Sequence, residues 1–236
     1  VRALDELLAQ SGDSIAAIIV EPLVQGAGGM LFHSPDVLRN LRMLADRHGV
    51  LLILDEIFTG FGRTGTMFAC EQAGIVPDII TLSKALTAGT MALAATVARA
   101  HVFDAFLSDD PLHALMHGPT FMANAMACAC ANASLDLFER EDCLGAVARI
   151  ARQMRTELEP CRSLPHVVDV RVMGAIGVVE LDRIHDMNAL KTALVAQGVW
   201  VRPFRNIVYL TPAFNITTSE LGKLTAAIRT VLAQPV

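Results

Sequence analysis

The sequence predicts an α/β protein. A large domain over residues 1–140 is built on a mostly parallel sheet, and a smaller α+β domain covers residues 141–236. Three observations predict it. Residues 50–54 and 79–82 are short, unbroken apolar runs that end in charged groups, Asp55-Glu56 and Lys84. Continuous runs of that length read as strands buried on both faces, the habit of parallel sheets. A helical pattern lies between an earlier apolar run, residues 15–20, and the run at 50, and strand–helix–strand order implies a right-handed crossover joining a parallel pair. Near residue 140 the texture changes to amphipathic helices and a hairpin.

The elements follow in order. Residues 2–9 are helical and stop at Ser11-Gly12-Asp13. The strand at 15–20 ends at Glu21-Pro22, and Gln25-Gly-Ala-Gly-Gly29 is a loop that lets backbone approach a ligand. Ser34 and Pro35 open a helix as N-cap and first residue. Val37, Leu38, Leu41, Leu44 and Ala45 form its apolar face, and Gly49 ends it. A short helix is expected over residues 67–73, a strand over 93–97, a loop over 109–120 and a long helix of small residues over 121–138. Beyond 140 the pattern predicts a helix over 144–158, strands at 167–172 and 176–181 turning at Gly174, and a helix over 187–197 stopped by Gly198. Short strands at 199–204 and 207–210 and a helix over 217–232 close the chain.

Composition narrows the function. Hydrophobic residues make up 53% of the 236 and charged residues 18%, so there is much to bury, part of it at a subunit interface. The net charge is −5 with no basic cluster, which argues against nucleic acid. The apolar stretch at 91–98 is too short for a bilayer, which needs about 20 residues, so no membrane partner is expected. The five cysteines are an odd count and read as reduced thiols of a cytoplasmic protein. No signal peptide is visible, and the chain opens at Val1 inside a helix, which points to sequence ahead of it.

Strand ends of parallel sheets are where ligands bind. Asp55 and Lys84 close two such strands and are expected to face one pocket. A lysine and an acid so placed suit pyridoxal phosphate: the lysine bonds the cofactor aldehyde and the acid pairs with the pyridinium nitrogen. A strand-end lysine is ordinarily a solvated charge. Here an apolar strand before it and small residues after it favour a desolvated, nucleophilic amine. At an effective dielectric of ~20, opposite charges 4 Å apart gain about 4 kcal/mol, enough to keep a weakly basic ring nitrogen protonated. Glu56 is read as structural. Gly60-Phe-Gly62-Arg-Thr-Gly65 matches a dinucleotide-binding pattern, but it trails its strand and has no acid at the required offset, so it is read as a turn carrying Arg63. His113 and His117 have the spacing of a ligand pair, yet no third ligand is evident and Gly118-Pro119 ends any helix, so no metal is expected. Arg202, in the small domain near Tyr209 and Trp200, is a natural clamp for a substrate carboxylate.

Four motifs carry a resemblance that covers essentially the whole chain. They are Val20-Glu-Pro-Leu-Val-Gln-Gly-Ala-Gly-Gly-Met30, Leu54-Asp-Glu-Ile-Phe-Thr-Gly-Phe-Gly-Arg-Thr-Gly65, Pro77-Asp-Ile-Ile-Thr-Leu-Ser-Lys-Ala-Leu-Thr87 and His117-Gly-Pro-Thr-Phe-Met-Ala-Asn124. Together they resemble the class III aminotransferases of fold type I, which implies an incomplete large pyridoxal-phosphate-binding domain followed by the small one. With Gly198-Val-Trp-Val-Arg-Pro-Phe204, the resemblance is greatest to members that serve biotin synthesis by moving an amino group from S-adenosylmethionine to 8-amino-7-oxononanoate. It implies that Lys84 and Asp55 hold pyridoxal 5'-phosphate. Pro119 and Thr120 would reach the cofactor phosphate of the neighbouring subunit in a homodimer, with Gly118 beside the substrate. Arg202 would bind the acceptor carboxylate, and Arg63, Phe204 and Tyr209 would line the substrate site.

The departures bear on substrate shape. Phe58 stands where relatives carry a small residue and is expected to crowd the ring. Ala88-Gly-Thr90, Ala125 and Leu210-Thr-Pro-Ala-Phe-Asn215 also differ from the family pattern. Members of that family are much longer, and their N-terminal part supplies a Gly-Ser phosphate loop and the aromatic residue stacked on the ring. Two alternatives therefore stand beside the first reading: another class III ω-amino acid aminotransferase, or a non-catalytic fragment.

Overall fold

The computed structural model describes residues 1–234, which fall into two compact units. The first takes Val1–Gly26, Leu31–Phe61 and Phe68–Glu141; the second takes Ala27–Met30, Gly62–Met67 and the chain from Asp142 onward. Among the described residues no helix is long and apolar enough to cross a membrane.

In the first unit, helix α1 (Arg2–Ser11) leads to strand β1 (Ala17–Val20). A short antiparallel pair follows, β2 (Val24–Gln25) with β3 (Leu31–Phe32), which the sequence had suggested only as loop. Helix α2 (Pro35–His48) then crosses to strand β4 (Leu51–Asp55). Pro35 opens α2 with its preset φ, and Gly49 closes it in the left-handed region at φ +67°. Ser34 occupies the N-cap position, but its hydroxyl makes no cap hydrogen bond. Leu38, Leu41, Leu44 and Ala45 are the buried side of α2.

Strands β5 (Ile79–Leu82) and β6 (Ala95–Ala98) complete a sheet of order β1-β4-β5-β6. The first three strands run parallel, and β6 pairs antiparallel to β5. One buried group pins this arrangement. Asp78 accepts the Leu52 amide at 2.8 Å and an Arg42 guanidinium N–H at 2.7 Å, while its own amide donates to Leu52 O at 2.9 Å. The sheet register and the crossover helix are thus tied to one carboxylate that is 5% exposed.

Helices α3 (Ala100–Asp104) and α4 (Ala125–Arg140) follow. The long helix expected from residue 121 begins only at Ala125: Ala123 sits at φ +55°, and the Asn124 side chain caps the helix by accepting from Met126 N and Ala127 N. The turn over Ala69–Ala73 is a 3-10 helix rather than an α-helix.

The second unit holds helices α5 (Cys143–Leu158), α6 (Met187–Ala196) and α7 (Thr218–Leu232). Its antiparallel sheet has the order β7 (Val167–Met173), β8 (Ile176–Leu181), β9 (Ile207–Leu210). Its core includes Ile150, Met154, Val179, Leu190, Val208 and Ile228, all essentially inaccessible. Thr217 and Glu220 close a reciprocal capping box that starts α7. Residues 199–204 were expected as a strand. Alternation is present, with Val199, Val201 and Pro203 buried and Trp200, Arg202 and Phe204 exposed. Yet only a single bridge forms, Phe204 to Ile207, and Pro203 has no N–H to give a ladder.

Burial pushes the Asp78 carboxyl up, but the Leu52 amide and Arg42 outweigh it and hold the group below its ordinary 3.8. Asp78→Asn should cost about 3 kcal/mol at pH 7, because it leaves Arg42 without its buried partner. Urea unfolding measures this. A carboxyl that titrates lower folded than unfolded contributes fully above its unfolded value and loses that contribution as pH falls through the folded value. The gap between wild type and variant should therefore close as the pH drops below 3.8.

Candidate active site

Asp55 and Lys84 come to the same edge of the first unit's sheet because β4 and β5 are parallel neighbours. Asp55 lies opposite Thr81 in register, and Lys84 follows directly after β5 and Ser83. Asp55 is half-buried, and its Oδ1 accepts the Ile57 amide at 3.0 Å. Lys84 is exposed rather than desolvated as expected, because only its backbone is held: it opens a single 3-10 turn, Lys84–Thr87, with that backbone in the left-handed region at φ +47°. That conformation is costly for a residue with a Cβ and persists only where the surroundings enforce it. Here the Leu86 amide donates to Ser83 O at 3.0 Å, Ser83 Oγ donates to Leu93 O at 2.7 Å, and Ser134 of α4 donates to Ala85 O at 3.3 Å.

Glu56, beside Asp55, is fully buried. Its carboxylate accepts Thr59 Oγ1 at 2.7 Å, the Ala69 amide at 3.0 Å and the Cys70 amide at 2.9 Å. Burial raises its pKa and these donors oppose the rise. It folds the chain back after β4, the structural part expected of it.

Phe58 lies with its ring centroid 5.0 Å from Lys84 Nζ. The sequence flagged its bulk, not this contact. Thr81 Oγ1 is buried without a hydrogen-bond partner among the described residues. Register places it on the same sheet face as Asp55. An orphaned polar atom beside a strand-end acid and a lysine suits a flat, polar ligand such as a pyridine ring. The sequence offered no signal for it beyond a threonine in an apolar strand.

Gly118, Pro119 and Thr120 belong to the same unit but lie in an exposed stretch. Around them Leu112, Met116 and Phe121 are 89%, 92% and 84% exposed. His113 ends a single 3-10 turn, Pro111–His113, so His117 is not on a helix with it.

Arg63, Arg202, Phe204 and Tyr209 lie in the second unit. Burial lowers the Arg63 pKa to about 10. Its Nη1 donates to Ala175 O at 3.2 Å and Pro212 O at 2.8 Å, and its guanidinium stands 4.6 Å from the Phe214 ring centroid. Arg202 is exposed, between buried Val201 and Pro203, and makes no ion pair among the described residues. Phe204 is 42% exposed, with the Arg205 guanidinium 5.3 Å from its ring centroid. Tyr209, in β9 opposite Val178, is half-buried.

The family model for class III aminotransferases matches residues 1–232. The chain belongs to the class III aminotransferase family. Its α/β fold, with a mostly parallel sheet, is about half of the fold type I architecture seen in solved relatives. An amine transaminase from an uncultivated Pseudomonas species, solved with pyridoxal phosphate bound, superposes with TM-score 0.92 at 35% identity, covering 100% of this chain and 56% of that one. The adenosylmethionine-8-amino-7-oxononanoate aminotransferase of Methanocaldococcus jannaschii superposes with TM-score 0.89 at 29% identity, covering 97% and 56%. The enzyme of that name from Mycobacterium leprae is 47% identical over 227 residues, which are 96% of this chain and 52% of the relative. The chain thus spans about half the length of the curated relatives it matches.

One glycine secures the class III turn that carries Arg63. Gly174, at φ +52° between β7 and β8, faces that turn so closely that an added Cβ would stand 2.4 Å from Arg63 O and 2.5 Å from Thr64 C. Gly174→Ala should therefore push the turn aside and cost roughly 1–3 kcal/mol, read as a lower urea midpoint.

Proposed function

We propose that the protein takes part in pyridoxal-phosphate-dependent transamination, with S-adenosylmethionine as amino donor and 8-amino-7-oxononanoate as acceptor, a step of biotin biosynthesis. The observation that carries the chemistry is the pairing of β4 with β5, which delivers Asp55 and Lys84 to one sheet edge. The relatives named for this reaction, 47% identical from Mycobacterium leprae and 41% from Buchnera aphidicola, support the substrates.

When bound, pyridoxal phosphate supplies an aldehyde that carries the amino group and a protonated ring that accepts electron density. Lys84 would bond that aldehyde and, once released, move a proton at its Nζ. The Asp55 carboxylate would keep the proton on the ring nitrogen. Thr81 Oγ1, without a hydrogen-bond partner among the described residues, would be a further polar contact for the group. Arg202, which makes no ion pair among the described residues, would grip the acceptor carboxylate as a two-pronged donor. Arg63, Phe204 and Tyr209 would line the acceptor site.

The same reading makes the working unit a homodimer with its site at the subunit interface. Gly118, Pro119 and Thr120 lie in a stretch whose apolar side chains are left open to water, and a second copy would cover them. There Gly118 would meet substrate, and Pro119 and Thr120 the phosphate held by the partner. The five cysteines, all free thiols, support a reducing compartment such as the cytoplasm. The amine transaminase neighbour, similar over the whole chain, favours a second reading in which another ω-amino compound is the substrate.

Titrating the protein with pyridoxal phosphate should produce a visible absorbance band that Lys84→Ala abolishes; a wild type that never develops the band refutes the proposal. Asp55→Asn should keep the band and slow turnover about a thousandfold, the rate equivalent of the roughly 4 kcal/mol ion pair. Arg202→Ala should raise the KM for 8-amino-7-oxononanoate about 10–100-fold while leaving the half-reaction with S-adenosylmethionine unchanged. Half-reaction spectra with β-alanine or ornithine in place of S-adenosylmethionine separate the two readings.

A further inference from the structure

Phe58 sits between two fixed objects. On one side is the Lys84 ammonium, 5.0 Å from the ring centroid, a cation–π distance. On the other is Gly26: a Cβ built there would meet Phe58 Cδ1 at 3.2 Å and Glu21 Oε2 at 3.3 Å. The Gly26 amide donates to that same Glu21 oxygen at 2.9 Å, so the wall behind the ring is itself held. Adjacent Thr59 is locked to Glu56 at 2.7 Å, which restricts the backbone that carries the ring. On the lysine side, the left-handed backbone at residue 84 and the Ser134 bond to the following carbonyl set where the side chain starts. Lys84 is exposed, and no carboxylate lies within ion-pair distance of its Nζ among the described residues, so the ring face is the contact the protein itself offers this ammonium.

We propose that Phe58 is a positioning residue that parks the Lys84 ammonium against its ring whenever the lysine is not bonded to cofactor. The inference rests on the reading of Lys84 as the cofactor lysine. A lysine alternates in that role between a bonded and a released state, and a released ammonium on a flexible four-carbon stem would otherwise sample many positions. The ring collects it at one place beside Asp55's strand. The contact must break before the nitrogen reacts, so Phe58 trades speed of capture for a defined resting position.

The test reads Lys84 directly. Cofactor-free protein is acylated with the N-hydroxysuccinimide ester of acetic acid at one neutral pH, and the Lys84 peptide is followed by mass spectrometry. Residue 58 is varied as phenylalanine, 3,5-difluorophenylalanine and pentafluorophenylalanine, which keep the shape of the ring while draining its negative face, and as Phe58→Leu and Phe58→Tyr. Labelling should rise stepwise through the fluorinated series to about 2–5 times wild type, the worth of one partly exposed cation–π contact. Phe58→Leu should match the fully fluorinated ring and Phe58→Tyr should stay near wild type. Equal labelling across the fluorinated series overturns the proposal, because packing alone would not respond to ring charge. The dissociation constant for pyridoxal phosphate should tighten by the same factor along the series; an unchanged constant overturns the role in capture. If wild type binds no cofactor but the labelling series rises, the proposed transamination fails and the Phe58–Lys84 contact stands.

Discussion

The carboxylate of Asp78 is the group on which the first unit depends. It receives an amide from β4 and a guanidinium from α2, and it belongs to the residue that leads into β5. A parallel pair has no hairpin turn to set its register, so something else must. A slip of one residue between β4 and β5 would put Asp55 and Thr81 on opposite faces of the sheet. The reciprocal bonds between Asp78 and Leu52 forbid that slip at the start of the strands. The strands' far ends, where Asp55 and Lys84 emerge, inherit the alignment. The bonds at Asp78 thus decide whether Asp55 and Lys84 emerge together at one end of the sheet.

The two units treat charge differently. In the first unit Asp55 accepts a backbone amide, and the exposed Lys84 stands with its ammonium 5.0 Å from the Phe58 ring centroid. In the second unit, arginines satisfy carbonyl groups: Arg63 binds Ala175 O and Pro212 O, Arg171 binds Met30 O and Arg205 binds Gly28 O. Arg202 makes no such bond among the described residues and is exposed.

Much of this was legible in the sequence because it depends on local pattern. The strand–helix–strand crossover followed from unbroken apolar runs and from Pro35 and Gly49, and the helices and hairpin after residue 140 from periodicity and glycines. The late start of α4 was hidden because it turns on one backbone angle at Ala123, which composition does not reveal. Residues 199–204 alternate like a strand, but a strand also needs a neighbour. Phe58 could be noticed as oversized, yet its place over Lys84 depends on what Gly26 lacks. The unpartnered hydroxyl of Thr81 and the bonds gathered at Asp78 come from residues that are far apart along the chain.

The second unit is not a contiguous piece of chain. It includes Ala27–Met30 and Gly62–Met67, which bond to Arg171, Arg205 and Ala175 across separations of more than a hundred residues. Contacts that distant form late, because the loop between them must close first. On the ribosome those two segments emerge long before their partners exist. The segments Ala27–Met30 and Gly62–Met67 cannot make these bonds until residues beyond Asp142 have been synthesised. A nascent chain of this protein therefore carries both segments through more than a hundred further residues of synthesis before their partners emerge.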